Sequence, residues 1–551
     1  MTPPRQQREA TAERTAASPP SSETLDVLIV GAGFGGLYAL HKLRGIGLKA
    51  LVLEAAPSVG GTWWANRYPG ARVDIQSLEY SYSFSEPLQQ QWHWSERYAS
   101  QPELLRYANH VADRFDLRRD IRLNTQVTAA HFDDAAALWR VRSDDGRAFN
   151  ARFVLMAIGP LSTPNTPAFA GLERFAGPAL HSAAWPHEPV DFSGRDVAVV
   201  GTGSSAVQLI PIIAEQARTL TVFQRTAAYA VPAHNGPLDP EREARIKADY
   251  AGFRERNRRM RPGFGSELSP HSLPTMQVSA EERNALFEQR WAIGGFSLLG
   301  AFADTLTDMR ANEACAEFVR GKIRSIVGDP EVAQRLCPTH PIGCKRLCVD
   351  SGYYDTYNRP NVTLVDVSQQ PIDAITPDGL ATGGRPYTFD MLVLATGFDA
   401  FTGPLTRIDL RGRDGLHIRD KWRGGPLNYL GLTVAGFPNL FNLVGAGSTS
   451  AFTSVIVAIE HHVDWIADCI QWLDAQGHRT IEASREAEAL WVERVNHIAA
   501  QTVYLNCNSW YLGANIPGKP RIFMPLAGGF PAYAERCAAV ARDGYAGFVT
   551  R

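Results

Sequence analysis

The sequence predicts an α/β fold of two Rossmann-like units, the second interrupted by a mainly helical insertion. Three observations predict it: a short apolar strand runs into a glycine cluster at Gly31, the same grammar recurs at Gly201, and between Pro237 and Val332 the chain turns to charge-rich helix formers. The first unit opens with Leu25-Asp26-Val27-Leu28-Ile29-Val30, continues in an apolar helix pattern over 37–43, and returns as Ala50-Leu51-Val52-Leu53-Glu54. Strand, glycine-rich turn, helix and strand make a βαβ unit. The second unit reads as a strand at 196–200, the turn Gly201-Thr202-Gly203-Ser204-Ser205-Ala206, a helix to about Ala214 and a strand at 220–223. Strand signals return at 361–365 and 391–395. After Gly397 come a strand at 440–444, a long helix at 456–472 and an amphipathic helix near 485–503. The residues after Asn506 are rich in Gly, Pro and aromatics, and are expected to form an ordered loop covering a site.

Composition narrows the classes. In 551 residues, 45% are hydrophobic and 20% charged, which excludes a wholly disordered or fibrous chain. Lys+Arg number 55 against 57 Asp+Glu, so no basic field points to nucleic acid. No apolar run reaches the roughly 18 residues of a membrane span. Seven cysteines are too few for a disulfide scaffold, and the odd number suggests free thiols in a reducing compartment. Residues 1–24 lack the apolar core of a secretory signal and read as a disordered tail. Glu9, Glu13 and Glu23 argue against a transit peptide, so the cytoplasm is the expected location.

Each turn has the form of a dinucleotide fingerprint. In Gly31-x-Gly33-x-x-Gly36 the glycines allow a tight turn, close approach of a pyrophosphate and close helix packing. Phe34, inside the fingerprint, is expected to contact the same cofactor. Glu54 ends the next strand, where a carboxylate accepts from a ribose 2′-OH and would repel a 2′-phosphate. This site suits FAD or NAD. The alternative is a glycine-rich turn in an unrelated α/β domain. In Gly201-x-Gly203-x-x-Ala206 the following strand ends instead in Arg225-Thr226. A guanidinium and a hydroxyl suit a 2′-phosphate, so this site should take NADPH, with Thr202, Gly203, Ser204, Ser205 and Gln208 around it. A solvated surface charge is the other reading of Arg225. Two such sites imply a flavin exchanging electrons with a nicotinamide. The expected layout is a tail at 1–24, an FAD-binding domain at 25–160 and 395–551, an NADP-binding domain at 161–236 and 333–394, and the helical insertion at 237–332.

A pyridine-nucleotide disulfide oxidoreductase would carry a redox cysteine pair near its flavin, and no CxxC or CxxxxC occurs. Cys337, His340, Cys344 and Cys348 have spacings too loose for zinc, and burial as small core residues is the better reading. No metal is expected.

The segment Phe175 to Pro186 fits FxGxxxHxxxWP and resembles the fingerprint of type I Baeyer–Villiger monooxygenases. The resemblance continues in Gly60-Gly61-Thr62-Trp63, Tyr68-Pro69-Gly70, Asp74, Ala395-Thr396-Gly397-Phe398-Asp399 and Ser509-Trp510-Tyr511. It spans residue 25 to the end. Asn66 to Arg72 and Gly513 to Pro520 are most similar to the phenylacetone and steroid monooxygenase group. Three departures stand out. Val73 replaces a more usual Cys, the run Pro338-Thr339-His340-Pro341 is one residue short, and Ser454-Val455 replaces an Asn-Met common in phenylacetone-type enzymes.

The resemblance implies NADPH- and O2-dependent oxidation of a ketone to an ester or lactone through a flavin peroxide. Heteroatom (S/N) oxygenation and a non-catalytic redox sensor are the alternatives. It implies Arg346 and Asp74 as the catalytic pair, since a peroxy anion needs a fixed cation and a carboxylate can orient that cation. Read alone, Lys345-Arg346 would be surface charge and Asp74 a helix cap. Flavin contacts implied are Gly61, Thr62, Trp63, Asp74 and Tyr80, with Val127 near the adenine. Lys345 would reach the 2′-phosphate, and Arg72 and Trp510 would contact the nicotinamide nucleotide. His181 reads as a linker histidine between the two domains. Trp92, Trp94 and Trp185 can be read as a flavin-stacking set, but aromatic core is the commoner role of such residues. Ser450, Ala451, Phe452 and Val455 are the substrate-pocket candidates, because they follow a strand end and start a helix. The short Val455 would leave room for a bulky cyclic or aromatic ketone. The partners expected are that ketone and O2, with no nucleic acid or membrane, in a monomer or homodimer.

Overall fold

Residues 24–551 are described in the computed structural model; most of the expected tail, 1–23, lies outside the described residues. The first strand opens at Thr24, one residue inside that tail, because Thr24 pairs with Asn150. An eight-stranded sheet has Thr24–Val30 near its centre, flanked in parallel by Ala50–Leu53 and Ala148–Met156. The latter joins an antiparallel meander with Leu138–Ser143 and Val127–Asp133, and Leu440–Asn442 from late in the chain pairs beside it. These central strands are buried along most of their length, as fits strands covered on both faces. The helices Phe34–Gly45 and Val455–Ala475 cover one face, joined by Tyr38 Oη donating to Asp464 at 2.7 Å.

A second, five-stranded parallel sheet runs Val362–Asp366, Thr219–Gln224, Asp196–Val200, Met391–Leu394, Ala179–His181. The helix Ser204–Gln216 follows its glycine turn. Between the halves of this unit lie the helices Pro240–Ala248, Tyr250–Arg259, Ala280–Ile293 and Met309–Ile326, and Pro330–Leu336 runs across the expected boundary at 332. Asp239, Ser279, Asp308 and Asp329 cap four of these helices with side-chain acceptors, which is why each starts where it does.

Two expectations need correction. The segment after Asn506 is irregular only to Gly529; a helix, Phe530–Arg542, follows. Its Pro531 sits in the first turn, where a missing N–H costs nothing. Phe530, Tyr533, Cys537 and Val540 recur at helical spacing and are buried, the phenylalanine and valine contributing about 1.5–3 kcal/mol each. The cysteines are not all free: Cys344 is bonded to Cys507, while Cys315, Cys337, Cys348, Cys469 and Cys537 are buried thiols. The two partners are 163 residues apart, so no local spacing could pair them. With its sulfur so bonded, Cys344 offers no thiolate to a metal, and no metal-holding group of side chains occurs among the described residues.

Candidate active site

The two glycine turns differ from ordinary tight turns in one respect. Gly31 has φ +102° and a Cβ there would lie 2.7 Å from Ala157 O, while at Gly36 it would meet Gly31 O at 1.8 Å; both glycines are required by the fold. Gly33 is not, since the nearest atom would be 3.5 Å away. The second turn repeats the pattern: Gly201 has φ +116° and is crowded by Ala395 O at 2.4 Å, whereas a Cβ on Gly203 would meet nothing within 4 Å. Gly33 and Gly203 therefore leave room for a ligand rather than for packing. Each precedes a helix with no acidic residue in its first turn, so the N–H groups and the positive helix end are free for phosphates.

The residues around the turns fit FAD in the first and NADP in the second. Glu54 ends its strand with both carboxylate oxygens engaged, Oε2 accepting from Ala32 N at 2.6 Å and Oε1 from Ala56 N at 2.8 Å. Burial pushes its pKa up, against those hydrogen bonds. Gly61 has φ +54° and approaches Gly33 so closely that a Cβ would lie 2.8 Å from its Cα; Thr62 and Trp63 start the short helix that follows. Trp63 Nε1 donates to Tyr80 Oη at 3.3 Å, and Tyr80 packs on Phe34, which opens the first helix. Val127 is buried at the start of the half-buried strand Val127–Asp133. At the second turn, Arg225 and Lys345 face one another with no carboxylate partner among the described residues. Burial and the Arg225 charge pull Lys345 down to about 8. Two uncompensated cations suit a 2′-phosphate. Thr202 Oγ1 donates to Thr226 O at 2.6 Å, and Ser204 Oγ lies 3.6 Å from Cys348 Sγ.

The turns meet through the segment 68–74. Gln208 Oε1 accepts from Tyr68 Oη at 2.9 Å and its Nε2 donates to Arg72 O at 3.1 Å, so the second unit's helix grips that loop. Ser205 stands beside the buried Tyr68 hydroxyl. Arg72 itself is paired with Glu96 at 2.7 Å. Two residues on, Asp74 accepts from Arg346 twice, Oδ2 from Nε at 2.9 Å and Oδ1 from Nη2 at 3.0 Å, across 272 residues. Asp74 caps no helix. Arg346 Nη1 donates to Ala451 O at 2.9 Å. Burial opposes the guanidinium charge, but the Asp74 carboxylate outweighs it and holds the arginine charged. A guanidinium has five N–H donors. Three are committed, which leaves one each on Nη1 and Nη2.

The sequence-predicted residues thus come together at Arg346, Asp74 and Ala451. Ser450 is buried with its hydroxyl unpartnered, and Val455 opens the helix behind it. Phe452 turns into an aromatic cluster with Tyr504 and Tyr511, at 4.4 and 4.9 Å between ring centres. Trp510 stacks on Phe401 at 5.7 Å. His181, read from the sequence as a linker histidine, ends the strand Ala179–His181, its Nε2 3.2 Å from both Asn165 O and Thr396 Oγ1 while Nδ1 accepts from Ala183 N; burial lowers its pKa. Trp92 and Trp94 pack on Tyr107, and Trp185 on Phe192, as core. Sequence reasoning missed Phe296, whose ring lies 4.6 Å from Arg346 Cζ, as well as Glu96 and Tyr504. Phe296 comes from the helical insertion, and only its flanking pair Gly294-Gly295, both at positive φ, hinted at a special turn.

Two fingerprints that fit FAD and NADP, with a charged arginine fork between them, define a flavin- and nicotinamide-dependent oxidoreductase. The model of the pyridine nucleotide-disulphide oxidoreductase family matches residues 28–254, which cover both turns but not the Cys344–Cys507 bond. A Baeyer–Villiger monooxygenase of Pseudooceanicola batsensis is 42% identical over 95% of this chain and 96% of its own length. A cyclohexanone 1,2-monooxygenase of Acinetobacter sp. and a phenazine N-monooxygenase of Lysobacter antibioticus are each 40% identical, over 95% of this chain and 96% of theirs. Among solved structures, oxidised steroid monooxygenase bound to NADP superposes with a TM-score of 0.91 at 51% identity, covering 96% of this chain and 99% of that one. The OTEMO complex with FAD and NADP does so at 0.92 and 39%, covering 96% and 100%. The chain belongs to the Baeyer–Villiger monooxygenase family, and its cofactors are FAD and NADPH.

Proposed function

We propose that this enzyme oxidises a bulky cyclic or aromatic ketone to an ester or lactone, consuming NADPH and O2. The observation that carries the reading is the Arg346 fork, fixed by Asp74 and Ala451 with two N–H donors left over. When bound, the flavin supplies the electron transfer and oxygen activation. The chain supplies position and charge. Arg346 presents its free N–H groups to the negative charge that develops on the carbonyl oxygen as the ketone is attacked. Asp74 fixes the orientation of the fork and keeps it charged. Phe296 covers one side of the guanidinium, which limits competition from water. Trp510 and Tyr511 close the late loop over the site, and Arg225 with Lys345 holds the nicotinamide nucleotide by its 2′-phosphate. Val455 and the loop 450–452 shape the ketone pocket; the short Val455 and the likeness to steroid monooxygenase support a large substrate. The same reading takes the cytoplasm, where NADPH is supplied, as the compartment, and a monomer or homodimer as the working form. No helix among the described residues is long and apolar enough to cross a membrane.

The test is NADPH consumption by the yellow protein against cyclohexanone, phenylacetone, cyclododecanone and a steroid ketone, with the product mass in each case. Stimulation greatest for the larger ketones, with products one oxygen heavier, is the expected result. Turnover confined to sulfides or amines would instead favour heteroatom oxygenation, in line with the phenazine N-monooxygenase relative.

A further inference from the structure

The arginine segment and the late loop carry the residues read above as holding the nicotinamide nucleotide, and are taken as the two walls of its site. Residues 341–347 carry Lys345 and Arg346; residues 503–512 carry Tyr504, Trp510 and Tyr511. Each wall is anchored elsewhere. Ile342 exchanges hydrogen bonds with the buried Asn312 side chain, 3.0 and 2.8 Å. The late loop is tied to the segment after the strand Met391–Leu394 by Lys519 Nζ on Asp399 at 2.6 Å and Asn515 Nδ2 on Phe398 O at 2.8 Å, and to the pocket loop by Leu526 N on Ser448 O at 2.8 Å. Among the described residues, no hydrogen bond or ion pair joins one wall to the other. Arg346 feels the Tyr504 and Tyr511 hydroxyls, and the covalent tie between the walls among the described residues is the bond between Cys344 and Cys507. Cys344 is next to Lys345 and fully buried; Cys507 is three residues before Trp510 and partly exposed.

Resting on the reading of Lys345 and Trp510 given above, we infer that Cys344 and Cys507 are positioning residues for NADP: their bond sets the distance between the cation that takes the 2′-phosphate and the aromatic residue that covers the nicotinamide. The bond also makes that distance chemically adjustable. A small dithiol approaches the bond from the partly exposed Cys507 side. Its thiolate attacks, Cys344 leaves as a thiolate, and the second thiol closes the dithiol's own disulfide, releasing the Cys507 thiolate. Two electrons and two protons pass to the protein. Re-oxidation is 2 RSH + H2O2 → RSSR + 2 H2O, with hydrogen peroxide as oxidant.

Freeing the walls costs ordering on binding, and ordering one or two side chains corresponds to about a tenfold change in affinity. The experiment is calorimetric titration of the flavin-loaded protein with NADP+, before and after dithiothreitol treatment, alongside Cys507→Ser. Mass spectrometry of non-reduced peptides first confirms which form is present. The expected result is an NADP+ Kd about 10-fold weaker after reduction, the same in C507S, insensitive to dithiothreitol in C507S, and restored in the wild type by stoichiometric peroxide. The KM for NADPH should rise in parallel, kcat at saturating NADPH should move much less, and more NADPH should be spent on free peroxide per ester formed. Equal Kd values for the bonded and reduced wild type, or a dithiothreitol effect that persists in C507S, would overturn the inference. The wild-type comparison stands even where C507S does not fold. Because NADP+ binding is read without turnover, a protein that binds NADP+ in a redox-dependent way but oxidises no ketone would sink the proposed function and leave this inference intact.

Discussion

At the first glycine turn the acceptor carboxylate is already in place: Glu54 is bonded to Ala32 N and Ala56 N, at 2.6 and 2.8 Å. At the second, Arg225 and Lys345 face each other with no acid between them, and Lys345 is pulled down to about 8 by burial and by that neighbour. The backbones are near copies, each with one glycine crowded by the next strand and one left open. The difference lies in preorganisation. The first turn is rigid and satisfied before a ligand arrives, as suits a resident cofactor. The second carries a charge repulsion that an arriving phosphate relieves, as suits one that exchanges.

The comparison is strained hardest where the two halves meet, at Arg346 and Asp74. Arg346→Ala should cut ester formation by about 100-fold or more while the flavin stays bound and NADPH is still oxidised, as gas chromatography beside NADPH absorbance would show. Equal loss of both activities would mean the arginine serves binding alone. Next is Arg225→Ala. It should raise the KM for NADPH by roughly 10- to 100-fold and leave NADH use nearly unchanged, because only the 2′-phosphate loses its guanidinium. Smaller but more pointed is the pair Gly33→Ala and Gly203→Ala. Both turns accept a Cβ without clash in the free protein, so both variants should fold. G33A should purify with little flavin, and G203A fully yellow with an NADPH KM about 10-fold higher, a loss of roughly one close phosphate contact. Flavin content reversed between them would reverse the assignment of the turns.

The smallest effect is on pH. On the proposed role Lys345 would bind the 2′-phosphate as the ammonium, so affinity should be full below its folded pKa and be lost as pH rises through it. With that pKa about 8, the protonated fraction falls about 3-fold between pH 7.5 and 8.5, and the KM for NADPH should rise by that factor. The KM for NADH should not follow. Lys345→Arg should flatten the profile.

What the sequence displays of this arrangement is what the backbone needs locally. The glycine turns, Glu54 and Arg225 each lie within about 25 residues of one fingerprint, a spacing set by one βαβ unit. The Asp74–Arg346 pair spans 272 residues and was legible only through motifs shared with a family, since no periodicity joins them. Cys344 and Cys507 belong to no such motif, and counting cysteines pointed the wrong way. Phe296 was hidden for another reason: the insertion around it has an ordinary helical pattern, and only folding brings its turn over the guanidinium. The helix Phe530–Arg542 was masked by the glycines and prolines before it, although its own spacing is regular.

Turnover of a bulky ketone with NADPH under 18O2, with mass analysis of the product, decides whether this enzyme inserts oxygen beside the carbonyl. The account predicts an ester or lactone carrying one oxygen-18 atom, in an amount that tracks NADPH consumed and is nearly abolished in Arg346→Ala. NADPH consumption that yields only hydrogen peroxide, or product oxygen drawn from water, would contradict it.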